Sequence, residues 1–180
     1  MYFSLNHRKR HAHEIAKKLL SFSPIVGVFG HRQVGKTTFL ERIAASYLTF
    51  DDKNTMNSAK TDAKEFLKSL NEKPAGIDEC QYVEDLFPAL KEYVRIHKKP
   101  GQIILSGSVR FYSRSTIRES LTGRIVSIDL LPMALTELAE RSRSLLPLKL
   151  IHKNNYSSDF NSKMPASELR ANKKLIDIYL

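Results

Sequence analysis

At 180 residues, with 42% hydrophobic and 27% charged residues, the chain has the composition of a globular domain long enough to bury a core. No apolar run approaches the ~20 residues of a membrane-spanning helix, and the first ten residues place charge after apolar groups, the reverse of a secretory leader. The single cysteine, Cys80, excludes an internal disulfide and suits a reducing, cytoplasmic setting.

The formal net charge of +10 is unevenly spread. Residues 1–20 carry five Lys/Arg against one Glu, residues 141–180 carry eight against three acids, and residues 21–140 hold sixteen against fifteen. Basic ends of this kind either grip nucleic-acid phosphates or form solvated flanks that aid solubility. Aromatic residues are not interleaved with the charges as in a base-stacking platform, which favours the flank. The chain thus divides into a basic N-terminal helix over 1–22, a nearly neutral core over 23–140 and a basic C-terminal extension over 141–180.

Residues 11–22, with Ile15, Leu19 and Leu20 spaced among lysines, predict a short amphipathic helix beside the core. His7, His11 and His13 lie among basic residues without the Cys/His pattern of a structural metal site, and read as solvated. Pro24 opens a first strand, and its apolar run leads straight into Gly30, His31, Arg32, Gln33, Val34, Gly35, Lys36 and Thr37, followed by Thr38. These residues spell GxxxxGK[ST], a phosphate-binding loop pattern. Its glycines let successive backbone N–H groups turn inward as an anion cradle, and the helix that follows, to about residue 46, offers its positive end. Lys36 is expected to reach the β- and γ-phosphates, and the Thr37 hydroxyl to ligate Mg²⁺.

Residues 47–50 are rich in β-formers and predict a second strand, closed by Asp51 and Asp52. That pair either caps the strand or faces a γ-phosphate. Residues 53–61 read as a loop or weak helix, 62–70 as a helix through Phe66, Leu67 and Leu70, and 74–77 as a third strand weakened by Gly76. Residues 83–97 predict a helix with Leu86, Phe87, Leu90 and Val94 on one face. A strong buried strand follows at 102–105, then a helix at 114–121, a fifth strand at 125–128 and a last helix over 165–180. Strands alternating with helices imply right-handed crossovers and an α/β fold: a P-loop NTPase, three-layer αβα sandwich with a central parallel sheet of about five strands. Ligands on such sheets sit at the carboxyl ends of the strands.

A phosphate loop binds nucleotide; hydrolysis needs further groups. Asp78, at the end of the third strand, is placed to anchor Mg²⁺, and Glu79, one residue on, to polarise the attacking water. The fourth strand ends in Ser106, Gly107 and Ser108, where Ser106 is the first candidate for a γ-phosphate contact and Ser108 the second. A guanidinium commonly meets the developing charge, supplied in cis or by a neighbour, and Arg124 is the first choice. Arg110, Arg114 and Arg118 recur every four residues and read as a solvated or partner-binding stripe. Cys80 reads as a small core residue, and Gln81 and Tyr82 as residues that orient the segment.

The chain resembles the AAA-like P-loop ATPases of bacteria and archaea, predicted ATPases that usually carry a C-terminal domain of unknown function. The matching segments are GHRQVGKTT at 30–38, YLTFDD at 47–52, IDECQYVEDLFPALK at 77–91, GQIILSGS at 101–108, ESLTGR at 119–124 and LLPMALTEL at 130–138. The resemblance implies the additional-strand, catalytic-glutamate class, with ATP and Mg²⁺ as ligands. It implies Lys36 and Thr37 on phosphate and metal, Asp78 on metal, Glu79 as base, Ser106 as sensor and Arg124 as charge stabiliser. His31 stands where such loops commonly have proline, and Gly76 interrupts a strand that is usually strongly apolar. Relatives continue into a lid and a large C-terminal part, so the expectation here is a core truncated to its ATPase portion. The expected function is ATP binding with hydrolysis of MgATP. Alternatives are a regulatory or interaction module with little turnover, a small-molecule kinase, and a nucleic-acid-associated ATPase using the basic ends. Beyond ATP, the expected partners are further copies of the chain or another protein, with no membrane.

Overall fold

The structure is a computed structural model and describes residues 9–108 and 121–138. Among these, residues 10–132 form one compact unit, and Lys9 with residues 133–138 falls in a second, which contains a single helical turn, Leu135–Leu138. The expected helices at 114–121 and 165–180, the Arg110, Arg114 and Arg118 stripe, and the 141–180 extension lie outside the described residues, apart from Leu121.

The first unit runs α1 (Ala12–Leu20), β1 (Ile25–Phe29), α2 (Lys36–Ile43), β2 (Ser46–Thr49), α3 (Lys53–Thr61), α4 (Ala63–Ser69), β3 (Ala75–Asp78), α5 (Leu86–His97), β4 (Ile103–Gly107) and β5 (Ile125–Asp129). The five strands form one sheet in the order β2-β3-β4-β1-β5. Every pairing is parallel, so all five carboxyl ends meet at one edge. β4 is thereby inserted between the strand that feeds the loop and the strand that ends in Asp78. This is the additional strand that the resemblance implies.

Side-chain alternation along the strands decides what each face meets. Ile103 and Leu105 join Ile25, Phe29, Ala75 and Ile77 in a core shared with Phe66 and Leu67 of α4 and Leu86, Phe87 and Leu90 of α5. Val28 and Ile104 turn to the opposite face and pack with Phe39 and Leu40 of α2 and Ala16 of α1. Each large side chain fully buried in this way contributes about 1.5–3 kcal/mol of hydrophobic stabilisation. Both faces of the sheet are therefore covered, as a parallel sheet requires.

Two local expectations change on contact with the fold. Residues 53–61, read as loop or weak helix, form α3 because Asp52 caps it. Asp52 Oδ2 accepts from the Thr55 N–H at 2.8 Å and the Thr55 hydroxyl at 2.7 Å. A cap of this kind is worth about 1 kcal/mol, enough to fix a short polar helix already held by its neighbours. The third strand is not weak: β3 is wholly buried and paired on both sides. Gly76 is there for space, since an added Cβ would lie 2.9 Å from the Ala44 Cβ just past α2. The glycine lets α2 come close to the strand that carries Asp78.

At the opposite, amino end of β3, the Lys73 ammonium is buried with no hydrogen-bond partner among the described residues and stands 5.1 Å above the centre of the Tyr93 ring. Burial lowers its pKa from the ordinary lysine value of 10.5. An ammonium without hydrogen bonds costs about 1–3 kcal/mol or more, against about 0.5–1 kcal/mol returned by the ring. Because the folded state releases this proton more readily than the unfolded chain, stability rises as pH climbs from the lowered value towards 10.5. Lys73→Met is expected to raise the unfolding free energy by about 1 kcal/mol near neutral pH and to flatten that alkaline rise. Urea unfolding at a series of pH values measures both, and an unchanged or lower midpoint contradicts the account.

Candidate functional site

Past Phe29 the backbone turns sharply against β5, and an added Cβ at Gly30 would collide with the Leu130 carbonyl. Gln33 and Gly35 then take left-handed conformations, with φ of 64° and 90°. Alternation of handedness in successive residues points amide N–H groups to one side, the geometry of an anion nest. His31, Arg32, Gln33, Gly35, Thr37 and Thr38 are exposed, so the loop is open to solvent, while Val34 anchors it in the core. Lys36, the first residue of α2, is 8% exposed, and its Nζ donates to the His31 carbonyl at 3.0 Å. The ammonium therefore lies across the loop.

Strand alternation puts Gly76 and Asp78 on the α2 face of β3, with Ile104 and Ser106 on the same face of β4. At the carboxyl edge these residues converge on one carboxylate that is 1% exposed. Asp78 Oδ2 accepts from Thr37 Oγ1 at 2.7 Å and from the Tyr47 hydroxyl at 3.0 Å. Asp78 Oδ1 accepts from the fully buried Ser106 hydroxyl and from the Glu79 N–H, the latter at 2.9 Å. Burial, the Asp78 charge and this hydrogen bond push the Tyr47 phenol up to about 12, so it remains a donor across the neutral range. Ser106 is the serine that reaches the acid; Ser108 lies past the end of β4.

Glu79 follows with φ 54° and ψ 41°, left-handed backbone that swings its side chain out of the strand register. Its carboxylate accepts from Gln81 Nε2. Gln81 Oε1 is buried without a hydrogen-bond partner among the described residues, and Gly107 leaves the room it occupies: a Cβ there would stand 2.7 Å from it. Cys80 is fully buried, and burial pushes its thiol pKa up, as suits a small core residue.

Arg124 does not join this group. It immediately precedes β5, whose first residue, Ile125, is in register with Ile25 at the start of β1. The phosphate loop leaves the other end of β1, four residues away or about 13 Å along a strand. The Arg124 Nη1 donates to the Thr122 carbonyl at 3.1 Å. Residue type alone pointed to Arg124, but a residue before a parallel strand sits at the amino edge, opposite the edge that carries Asp78. Asp52 is used as the α3 cap, and Asp51 stands exposed beside it.

Two contributors were missed from sequence. Tyr47 could have been found, since two-residue alternation and a parallel neighbour bring a long hydroxyl-bearing side chain toward the end of β3. Arg10 could not. It looked like one of several solvated charges, yet it is 7% exposed and donates from Nη1 to the Val34 carbonyl inside the loop, at 2.8 Å.

The chain is 27% identical over 143 residues to the uncharacterised protein Rv2008c of Mycobacterium tuberculosis, a match covering 78% of this chain and 32% of the relative. The uncharacterised protein Mb2031c of Mycobacterium bovis gives the same figures. The chain thus spans about a third of the length of these relatives. Among solved structures, the crystal structure of a DNA replication initiation factor aligns with a TM-score of 0.48 and 15% identity, over 92% of this chain and 58% of that one. The sequence profile described as an AAA domain matches residues 22–139, which include β1, the phosphate loop and the Asp78 strand, and the chain belongs to that P-loop ATPase family.

Proposed function

We propose that the chain binds MgATP on the loop from Gly30 to Thr38 and hydrolyses it slowly by directing water at the γ-phosphate. The observation that carries this reading is the 2.7 Å bond between Thr37 and Asp78, made where an anion nest opens at the carboxyl edge of the sheet. The hydroxyl and the carboxylate are hard oxygen donors side by side, the chemistry that Mg²⁺ accepts, so these two residues fit the metal. Bound there, Mg²⁺ would neutralise charge on the β- and γ-phosphate oxygens.

The protein's own groups then divide the work. Backbone N–H groups of the nest hold the phosphates, and Lys36 exchanges the His31 carbonyl for phosphate oxygen. Glu79 accepts a proton from the attacking water as its oxygen bonds to the γ-phosphorus and the bond to the β,γ-bridging oxygen breaks, leaving ADP and inorganic phosphate. Ser106 and Tyr47 fix the Asp78 carboxylate in place. Arg124, at the amino edge, serves as a charge stabiliser only when donated by a neighbouring chain, which makes a homo-oligomer the active form.

A second reading, a nucleotide-binding module with little turnover, draws support from the bond that ties Glu79 to Gln81. Variants separate the two. Lys36→Ala is expected to weaken ATP binding at least about tenfold, the size of one lost charge-assisted contact. Glu79→Gln should bind ATP like the parent while turnover falls about 100-fold or more, the usual worth of a general base. Equal, near-zero turnover in parent and Glu79→Gln would establish the module reading. Undiminished triphosphate affinity in Lys36→Ala would remove the site altogether. Turnover per chain is expected to rise with protein concentration in the parent and to stay flat in Arg124→Ala. A flat profile in both excludes the donated arginine.

A further inference from the structure

We infer that Arg10 is a positioning residue of the phosphate loop, acting through the peptide that joins Val34 to Gly35; this rests on the nucleotide-binding reading above. The guanidinium is buried, and two of its hydrogen bonds reach backbone carbonyls. Nη1 donates to the Val34 carbonyl at 2.8 Å and Nη2 to the Leu131 carbonyl at 2.5 Å, so it ties the loop to the segment leaving β5. A nest that turns its N–H groups toward an anion must turn carbonyls the other way, and a carbonyl facing the protein interior needs a donor. Val34 lies between the two left-handed residues, and its carbonyl is the one Arg10 satisfies.

The same bond has an electrostatic effect. The Val34 oxygen and the Gly35 N–H belong to one planar amide and point in opposite directions. A cation on the oxygen draws electron density from the nitrogen and makes the Gly35 N–H a stronger donor on the side away from Arg10. A Cβ on Gly35 would lie 3.6 Å from Arg10 Nη1, so the guanidinium sits close against this residue. The arginine backbone is itself held. His13 Nδ1 lies 3.1 Å from the Arg10 nitrogen and 3.0 Å from its oxygen, bonding one or the other according to tautomer. The His13 ring, buried rather than solvated as its basic neighbours suggested, lies against Phe39 of α2, tilted by 42° with centroids 4.6 Å apart. The start of α1 is thus built onto the helix that the phosphate loop feeds.

The test uses the full chain and ADP, read by calorimetry and by the Gly35 amide signal in ¹⁵N-labelled protein. Arg10→Met, close in shape but uncharged, is expected to weaken ADP binding about tenfold or more, as befits one charge-assisted hydrogen bond, and to move the Gly35 amide proton upfield. Arg10→Lys restores charge but cannot span both carbonyls, so affinity and shift should fall between parent and Arg10→Met. If Arg10→Met does not fold, Arg10→Lys carries the comparison against the parent alone. A folded variant with parental ADP affinity and an unmoved Gly35 signal overturns the inference. Lys36→Ala in the same series separates the two levels. A parent that binds no ADP ends the nucleotide reading, whereas loss in Lys36→Ala with retention in Arg10→Met ends only the role of Arg10.

Discussion

A carboxylate taken out of water costs several kcal/mol unless hydrogen bonds replace its hydration. Asp78 meets that demand with four donors drawn from the first turn of α2, from β2, from β4 and from the turn after β3. The carboxyl edge of the sheet is therefore one connected unit rather than a row of separate loops. Its geometry follows from two elementary facts. Parallel pairing sends every strand to the same edge, and two-residue alternation chooses which side chains face α2. The order β2-β3-β4-β1-β5 then sets Ser106 between the loop strand and the acidic strand, within reach of both.

On the reading proposed here, the contacts that hold this edge are the ones a ligand exchanges. Lys36 leaves the His31 carbonyl for phosphate, Thr37 leaves Asp78 for metal, and Glu79 leaves Gln81 for water. Each is a charge-assisted hydrogen bond worth about 1.5–3 kcal/mol net, so it is given up cheaply only in exchange for an equal or stronger bond to the ligand. What cannot be exchanged is the backbone: the left-handed residues at 33 and 35, the Val34 anchor beneath them, and Gly76 under α2. The site is thus pre-formed in its main chain and adjustable in its side chains. Preorganisation of that kind reduces the ordering that binding would otherwise require.

The phosphate loop was legible because its chemistry depends on glycines and a lysine at fixed spacing, which sequence displays directly. The same holds for β4, where continuous apolar residues mark a strand buried on both faces. Asp78 and Ser106 could be placed because each ends a strand. Legibility failed where tertiary context decides. Gly76 looked like a defect until the close approach of α2 explained it. Asp52 looked like a candidate ligand until it proved to cap α3. Arg124 was chosen by residue type, and the direction of β5 removed it to the far edge. Arg10 carries no signal along the sequence, because its partners are backbone carbonyls 24 and 121 residues away.

On the reading proposed above, Asp78 serves the metal and not only the fold. ATP affinity with and without Mg²⁺, measured by calorimetry in the parent and in Asp78→Asn, addresses this directly. The predicted result is that Mg²⁺ tightens ATP binding to the parent but not to the variant, while both bind metal-free ATP comparably. Equal tightening by Mg²⁺ in a folded Asp78→Asn protein would contradict it.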